Sequence, residues 1–298
     1  MQRSGWKKTS TRFRQTMKTI PQVKIEKLIA DYSVLLLDAY GVLVDIQGTL
    51  PGALNLIEEL NRVQKPYFIL TNDASKLPET SARLYGKFGL DIAPDRIITS
   101  GSLLKNHFKT NHLTDARCVV LGPPDSMRYV ETAGGRPVSE RDEFDALVLA
   151  DEAGFPFLET VDAVLTALFQ KLDRRETVHL ILPNPDLIYP KADNGFGITS
   201  GCIALMIEAA LRLRYPNRDQ LSFARLGKPH LAIFEEALRR SGTRDMVMIG
   251  DQLETDIRGA NAFVIDSVLI DTGVTPINSV DSTDRNHPTY RLADLYPG

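Results

Sequence analysis

The sequence predicts an α/β fold in which mostly parallel strands are covered by helices. Three observations carry that prediction. Short apolar runs recur along the chain and stop at loop residues or at an acid. Segments with helical apolar spacing separate these runs. Asp38, Thr71 and Asp251 close three of the runs, at the strand ends where parallel sheets present their ligands.

Taken in order, residues 34–37 read as a buried strand that ends at Asp38 and opens into a loop at Gly41. After Pro51 and Gly52, the apolar positions Ala53, Leu54, Ile57 and Leu60 recur at helical spacing, with Glu58, Glu59 and Asn61 on the other side. Residues 67–70 form a second strand ending at Thr71-Asn72-Asp73. Residues 81–88 resemble a helix, and 97–98 a short strand. A second α/β rhythm starts near Cys118: strands at 118–121, 146–150 (closing on Asp151) and 178–182, with helices at 160–169 and 203–213. The final part repeats the opening pattern. A helix over 231–239 follows Gly227-Lys228-Pro229, a strand over 246–249 precedes Gly250-Asp251, a helix starts over 255–260, and 263–265 and 268–270 supply further strand.

The composition, with 43% hydrophobic and 24% charged residues, is that of a globular chain able to build a sizeable core. A formal net charge of -3 gives no broad electrostatic case for nucleic acid or for an anionic membrane. The two cysteines, Cys118 and Cys202, form neither a disulfide framework nor a zinc motif, so a reducing, cytoplasmic setting is expected. No apolar stretch is long enough to span a bilayer. Residues 1–18 hold Arg3, Lys7, Lys8, Arg12, Arg14 and Lys18 and no acid. Residues 1–24 are therefore expected to be a disordered basic segment, with Met17 as a candidate initiator and a targeting or nucleic-acid-binding arm as the alternative.

Four motifs lie in a fixed order: Asp38-Ala39-Tyr40-Gly41-Val42-Leu43, Thr71-Asn72-Asp73, Gly227-Lys228-Pro229, and Gly250-Asp251 through Asp256-Ile257. Together they resemble the haloacid dehalogenase superfamily, most of whose members are phosphatases. The long interval before Lys228, with Asn184-Pro185-Asp186 inside it, is similar to the subfamily with a large α/β cap. That group includes nitrophenyl-phosphate, pyridoxal-phosphate and nucleotide phosphatases. The resemblance covers residues 30–275 approximately. It implies a Rossmann-like core over 25–101 and 223–298, with an α/β cap domain over 102–222 inserted between the second and third motifs.

The resemblance also implies roles. Asp38 attacks phosphorus and carries the phosphoryl group as an aspartyl-phosphate, which splits hydrolysis into two steps. A lone aspartate after a strand is ordinarily a turn or cap residue; its place among four ordered motifs argues otherwise. The Thr71 hydroxyl and the Asn72 amide donate to the phosphate, and Lys228 neutralises charge and holds Asp38. Mg2+ is the implied cofactor, held by Asp38, Asp251 and the backbone carbonyl of Tyr40. Asp256 holds Lys228 or a water on the metal, with a helix-start role as its ordinary alternative. Asn184 and Asp186 fall near the junction of core and cap, unless they are turn chemistry alone.

Tyr40 departs from the pattern, because phosphatases of this kind usually carry a second aspartate there to protonate the leaving alcohol. A phenol with a pKa near about 10 suits that task poorly at neutral pH, and losing a placed acid-base group typically costs about 10² to 10⁴ in rate. The expectation is thus a hydrolase of a small phosphorylated metabolite that is slow or restricted to good leaving groups. Two alternatives stay open. One is a metal-independent carbon-halogen hydrolase with an aspartyl-ester intermediate, since tyrosine is typical at this place in those enzymes. The other is a weakened phosphate- or metabolite-binding protein. The oligomeric state stays open, with a homodimer among the options.

Overall fold

The computed structural model describes residues 20–191, 195–218, 220–271 and 286–297. Most of the segment expected to be disordered lies outside them, but its last residues are structured. Strand β1 (Gln22–Val23) precedes the first helix, Ile25–Asp31, and Val23 and Ile25 are buried. Their apolar side chains join the core, which the basic composition upstream gave no reason to expect.

After β1 come β2 (Val34–Asp38), β3 (Tyr67–Thr71) and β4 (Ile97–Thr99). A second group follows: β5 (Arg117–Leu121), β6 (Arg136–Val138), β7 (Ala146–Leu149), β8 (His179–Leu182), β9 (Ile188–Pro190), β10 (Phe196–Ile198) and β11 (Ala224–Arg225). The chain then adds β12 (Met246–Gly250), β13 (Asp266–Ile270) and β14 (Tyr290–Leu292). Among the described residues, the core sheet has seven parallel strands in the order β1-β14-β13-β12-β2-β3-β4. The inserted domain has a five-stranded parallel sheet in the order β11-β8-β7-β5-β6, and β9 and β10 pair as an antiparallel hairpin. This is a Rossmann-like core with a second α/β domain inserted between the second and third motifs.

All five positions of β2 are buried, as a strand covered on both faces requires. Alternation decides which helices each side chain meets. Leu35 and Leu37 pack with Leu28, Leu56, Leu60 and Tyr85, from the helices Ile25–Asp31, Ala53–Arg62 and Pro78–Lys87. Val34 and Leu36 pack with Phe108, Phe234 and Phe263, from Leu104–Thr110, Leu231–Ser241 and Arg258–Phe263. The same second cluster continues into the inserted sheet through Val120, Val148 and Ile181. The other face of that sheet is covered by helices Phe157–Asp173 and Ser200–Arg214.

Local differences from the sequence reading have local causes. Residues 263–265 are not strand: Phe263 ends a helix, Val264 turns the chain at φ +61°, and β13 starts at Asp266. The helix expected from 255 begins as a π-turn, Leu253–Ile257. There the Asp256 side chain takes the backbone N–H groups of Asp251 and Gln252, each at 3.1 Å. Phe155 and Phe157 pack half-buried on the cap helices, whereas Phe196 is exposed on its hairpin. Among the described residues, no helix is long and apolar enough to cross a membrane.

Candidate active site

The strand order places the motifs side by side. β12, β2 and β3 are neighbours, and their carboxyl ends carry Asp251, Asp38 and Thr71. Asp38 is the last residue of β2, in register with Leu70 beside Thr71. The loop before helix Leu231–Ser241 brings in Lys228, and all four side chains are buried.

Lys228 is the hinge of the charge arrangement. Its Nζ lies 2.7 Å from Asp38 Oδ1 and 2.7 Å from Asp256 Oδ1. Asp38 Oδ1 also accepts from the Ala39 N–H at 2.7 Å. Burial pushes the Asp38 carboxyl well above the ordinary range, Asp256 and Asp251 add to the push, and Lys228 opposes it without cancelling it. Burial disfavours the Lys228 ammonium, but Asp256 and Asp38 together overcome it and hold the proton on.

Asn72 ties three segments together. Its Oδ1 accepts from Lys228 N–H at 2.7 Å, while its Nδ2 donates to the Lys228 carbonyl at 3.0 Å and to Asp186 Oδ1 at 2.8 Å. The match leaves no room at Gly227, where a Cβ would fall 2.4 Å from Asn72 Oδ1. Asp186 comes from the inserted domain, in a turn where its N–H donates to Asn184 Oδ1 at 3.0 Å. Burial raises the Asp186 carboxyl to about 6, against the opposing pull of Asn72 and Lys228. Asn184 therefore serves turn chemistry and also lines the site, whereas Asp186 reaches across to Asn72.

Core and cap enclose a cavity of about 700 Å³ that contains Asp38, Tyr40, Thr71, Asn72, Asn184, Asp186 and Lys228 in its lining. The Tyr40 side chain is 38% exposed in this cavity, and burial followed by Asp45 raises its phenol above the ordinary value. Protonation chemistry near neutrality is thus further from its reach than from that of a free tyrosine. Asp73 does not burden the phosphate end: its carboxylate turns to the Ser75 and Lys76 N–H groups and pairs with Lys76 Nζ at 3.0 Å.

Asp38, Asp251 and Asp256 each place a carboxylate oxygen within 4.8 Å of the others. Three buried carboxylates against one ammonium favour a further cation, and hard oxygen donors suit Mg2+. Asp256 is already engaged by Lys228 and two amides, so Asp38 and Asp251 are the better-placed donors. The backbone after Tyr40 runs against Asp251: Gly41 has φ +92°, and a Cβ there would lie 2.2 Å from Asp251 Oδ2. The donor set fits the ion.

Thus Asp38, Thr71, Asn72, Lys228, Asp251 and Asp256 are gathered at the carboxyl end of the core sheet, with Tyr40 and Asp186 at its cavity. Sequence reasoning missed the wall formed by Ser75, Lys76, Asp151, Glu152 and Tyr189. Its only signal was Asp151 closing an apolar run, the pattern also seen at Asp38 and near Asp251.

A family model of haloacid dehalogenase-like hydrolases matches residues 35–136, and a second, HAD-hydrolase-like, matches residues 225–297. An acid sugar phosphatase of Staphylococcus haemolyticus is 26% identical, with 86% of this chain and 93% of that protein covered. A dihydroxyacetone phosphatase of Corynebacterium glutamicum is 29% identical, with 85% and 84% covered. Among solved structures, a possible sugar phosphatase of the HAD superfamily from Cytophaga hutchinsonii matches with TM-score 0.80 and 30% identity, over 94% of this chain and all (100%) of that one. A glycerol phosphate phosphatase of Mycobacterium tuberculosis, solved with magnesium, has TM-score 0.74 at 23% identity, covering 90% of this chain and 76% of its own, a likeness of fold alone.

Proposed function

Because the chain belongs to the haloacid dehalogenase-like hydrolases, we propose that it is a magnesium-dependent phosphatase of a small phosphorylated metabolite, working through an aspartyl-phosphate on Asp38. The observation that carries this reading is the buried Asp38–Lys228–Asp256 bridge, with both contacts at 2.7 Å, beside Asp251. The sugar and dihydroxyacetone phosphatases among the relatives support the substrate class.

In this reading the Ala39 N–H and Lys228 both hold Asp38 Oδ1, which leaves Oδ2 to attack phosphorus. The Thr71 hydroxyl and the Asn72 amide donate to the phosphoryl oxygens, where preorganised donors are most effective. Lys228 neutralises the charge that develops there, and Asp256 fixes its ammonium. Mg2+ held by Asp38, Asp251 and the Tyr40 carbonyl would keep Asp38 ionised and offset phosphoryl charge. Asp186 ties the cap to Asn72, so closure of the cavity and order at the phosphate end go together. Tyr40 is a poor proton donor, so alkyl esters are hydrolysed slowly unless another group supplies the proton.

A phosphatase panel with Mg2+, including sugar phosphates and 4-nitrophenyl phosphate, tests the reading. The expected result is turnover that falls to background in Asp38→Asn and on chelation with EDTA. Turnover untouched by both would overturn it. Tyr40 favours a second reading, carbon-halogen hydrolysis, which halide release without Mg2+ would establish. Tight phosphate binding with no turnover would instead point to a binding protein.

A further inference from the structure

Tyr40 leaves the leaving oxygen without a suitable proton donor on the core side. The cavity offers a carboxyl pair on the cap side. Asp151 follows β7, at the carboxyl end of the cap sheet, and its Oδ1 accepts from the Ala153 N–H at 3.0 Å. With Glu152 it lines the same cavity as Asp38 and Tyr40, beside the core residues Asp73, Ser75 and Lys76. Lys76 is within electrostatic reach of Tyr40, Asp73, Asp151 and Glu152 alike, so this wall and Tyr40 share one part of the cavity.

We propose that Asp151, carried by the cap, is the catalytic acid that protonates the leaving oxygen in place of a residue at position 40. The inference rests on the phosphatase reading. As Asp38 Oδ2 bonds to phosphorus, the ester P–O bond breaks. Its electron pair stays on the leaving oxygen, which takes the Asp151 proton and departs as a neutral alcohol. A water oxygen then bonds to phosphorus, the P–O bond to Asp38 breaks with its pair returning to Asp38, the proton that water loses passes to solvent, and the Asp151 carboxylate regains its own proton from solvent.

The surroundings suit the task. Burial raises the Asp151 carboxyl, and Asp73 adds to it, while the Ala153 N–H, Lys76 and the Ser75 hydroxyl pull against this without cancelling it. Glu152 is raised too, by burial and then by Asp151. A carboxyl raised in this way holds a proton to higher pH than a free one, as a leaving-group acid must. Asp151 is the better oriented, being held by the Ala153 N–H.

The test compares glycerol 3-phosphate, whose leaving alcohol needs a proton, with 4-nitrophenyl phosphate, whose leaving group does not, at saturating Mg2+. Asp151→Asn should lower kcat for glycerol 3-phosphate by about 10²-fold or more. Its KM, and turnover of the aryl ester, should stay within a few-fold. The fall of alkyl turnover with rising pH should vanish in the variant. Tyr40→Asp added to Asp151→Asn should restore the alkyl activity. Asp151→Ser gives the same readout if Asp151→Asn melts early. Equal losses on both esters, a change in KM alone, or a wild type active only on the aryl ester overturns Asp151 as the acid while the phosphatase reading stands. A wild type that turns over no phosphate ester overturns both.

Discussion

Removing the Lys228 ammonium leaves Asp38 and Asp256 buried without the cation that joins them. Breaking such a pair typically costs about 3–5 kcal/mol, because the remaining charge stays buried and uncompensated. Lys228→Met should therefore destabilise the metal-free protein by about that much at pH 8, measured by urea unfolding in EDTA. The Asp38 carboxyl is raised by burial and then by Asp256, so it takes up a proton as pH falls, and the penalty should shrink at pH 5. A penalty independent of pH would count against the charge account. Asp186 has its own signature. Burial pushes its folded carboxyl up to about 6, above an unfolded value of about 3.9. Between these values the folded protein holds a proton that the unfolded chain has released, so stability falls as pH rises through this window. Discounted for partial exposure, the effect is at most about 2 kcal/mol. Asp186→Asn keeps an acceptor for Asn72 and should gain stability on the wild type from pH 4 to pH 8, as read by thermal melts; a constant difference would refute the burial explanation.

The elements that hold these residues differ in how plainly the sequence announces them. β2 and β12 are continuous buried runs ending at or beside the key acids, and two-sided burial makes such runs easy to read. The π-turn Leu253–Ile257 is different, since it forms because one side chain, Asp256, occupies two backbone donors that helical periodicity does not reveal. The β9–β10 hairpin is equally hard to read, with strands of three residues and both flanking isoleucines exposed. Gly41 is legible in a third way: the motif marks it, but only the geometry says why. Its φ of +92° and the 2.2 Å approach of a Cβ to Asp251 Oδ2 leave no space for alanine. Gly41→Ala should push the Tyr40–Gly41 backbone off Asp251 and weaken Mg2+ binding by calorimetry, together with turnover. Unchanged Mg2+ affinity would mean that this loop carries no ligand.

At the scale of the whole molecule, the order of four motifs made the core and its insertion readable, because strand adjacency gathers residues that the sequence keeps far apart. The cap side of the cavity was not readable. Lys76, Asp151 and Glu152 meet only when two domains are stacked, and no periodicity within either one encodes that meeting. The interleaving of the core sheet has a further consequence, for biosynthesis. β2 needs β12 beside it, and the bond that opens this pairing, Ser33 N–H to Asp245, spans 212 positions. At roughly 5–20 residues per second, the apolar edge of β2 leaves the ribosome some tens of seconds before its partner exists. The five-stranded sheet between them has all its strands in one continuous stretch and can close in that interval. The chain that emerges is thus a finished cap hanging from a half-built sheet whose sticky central strand must be shielded, by chaperone or by speed, until β12 arrives near the end of the chain.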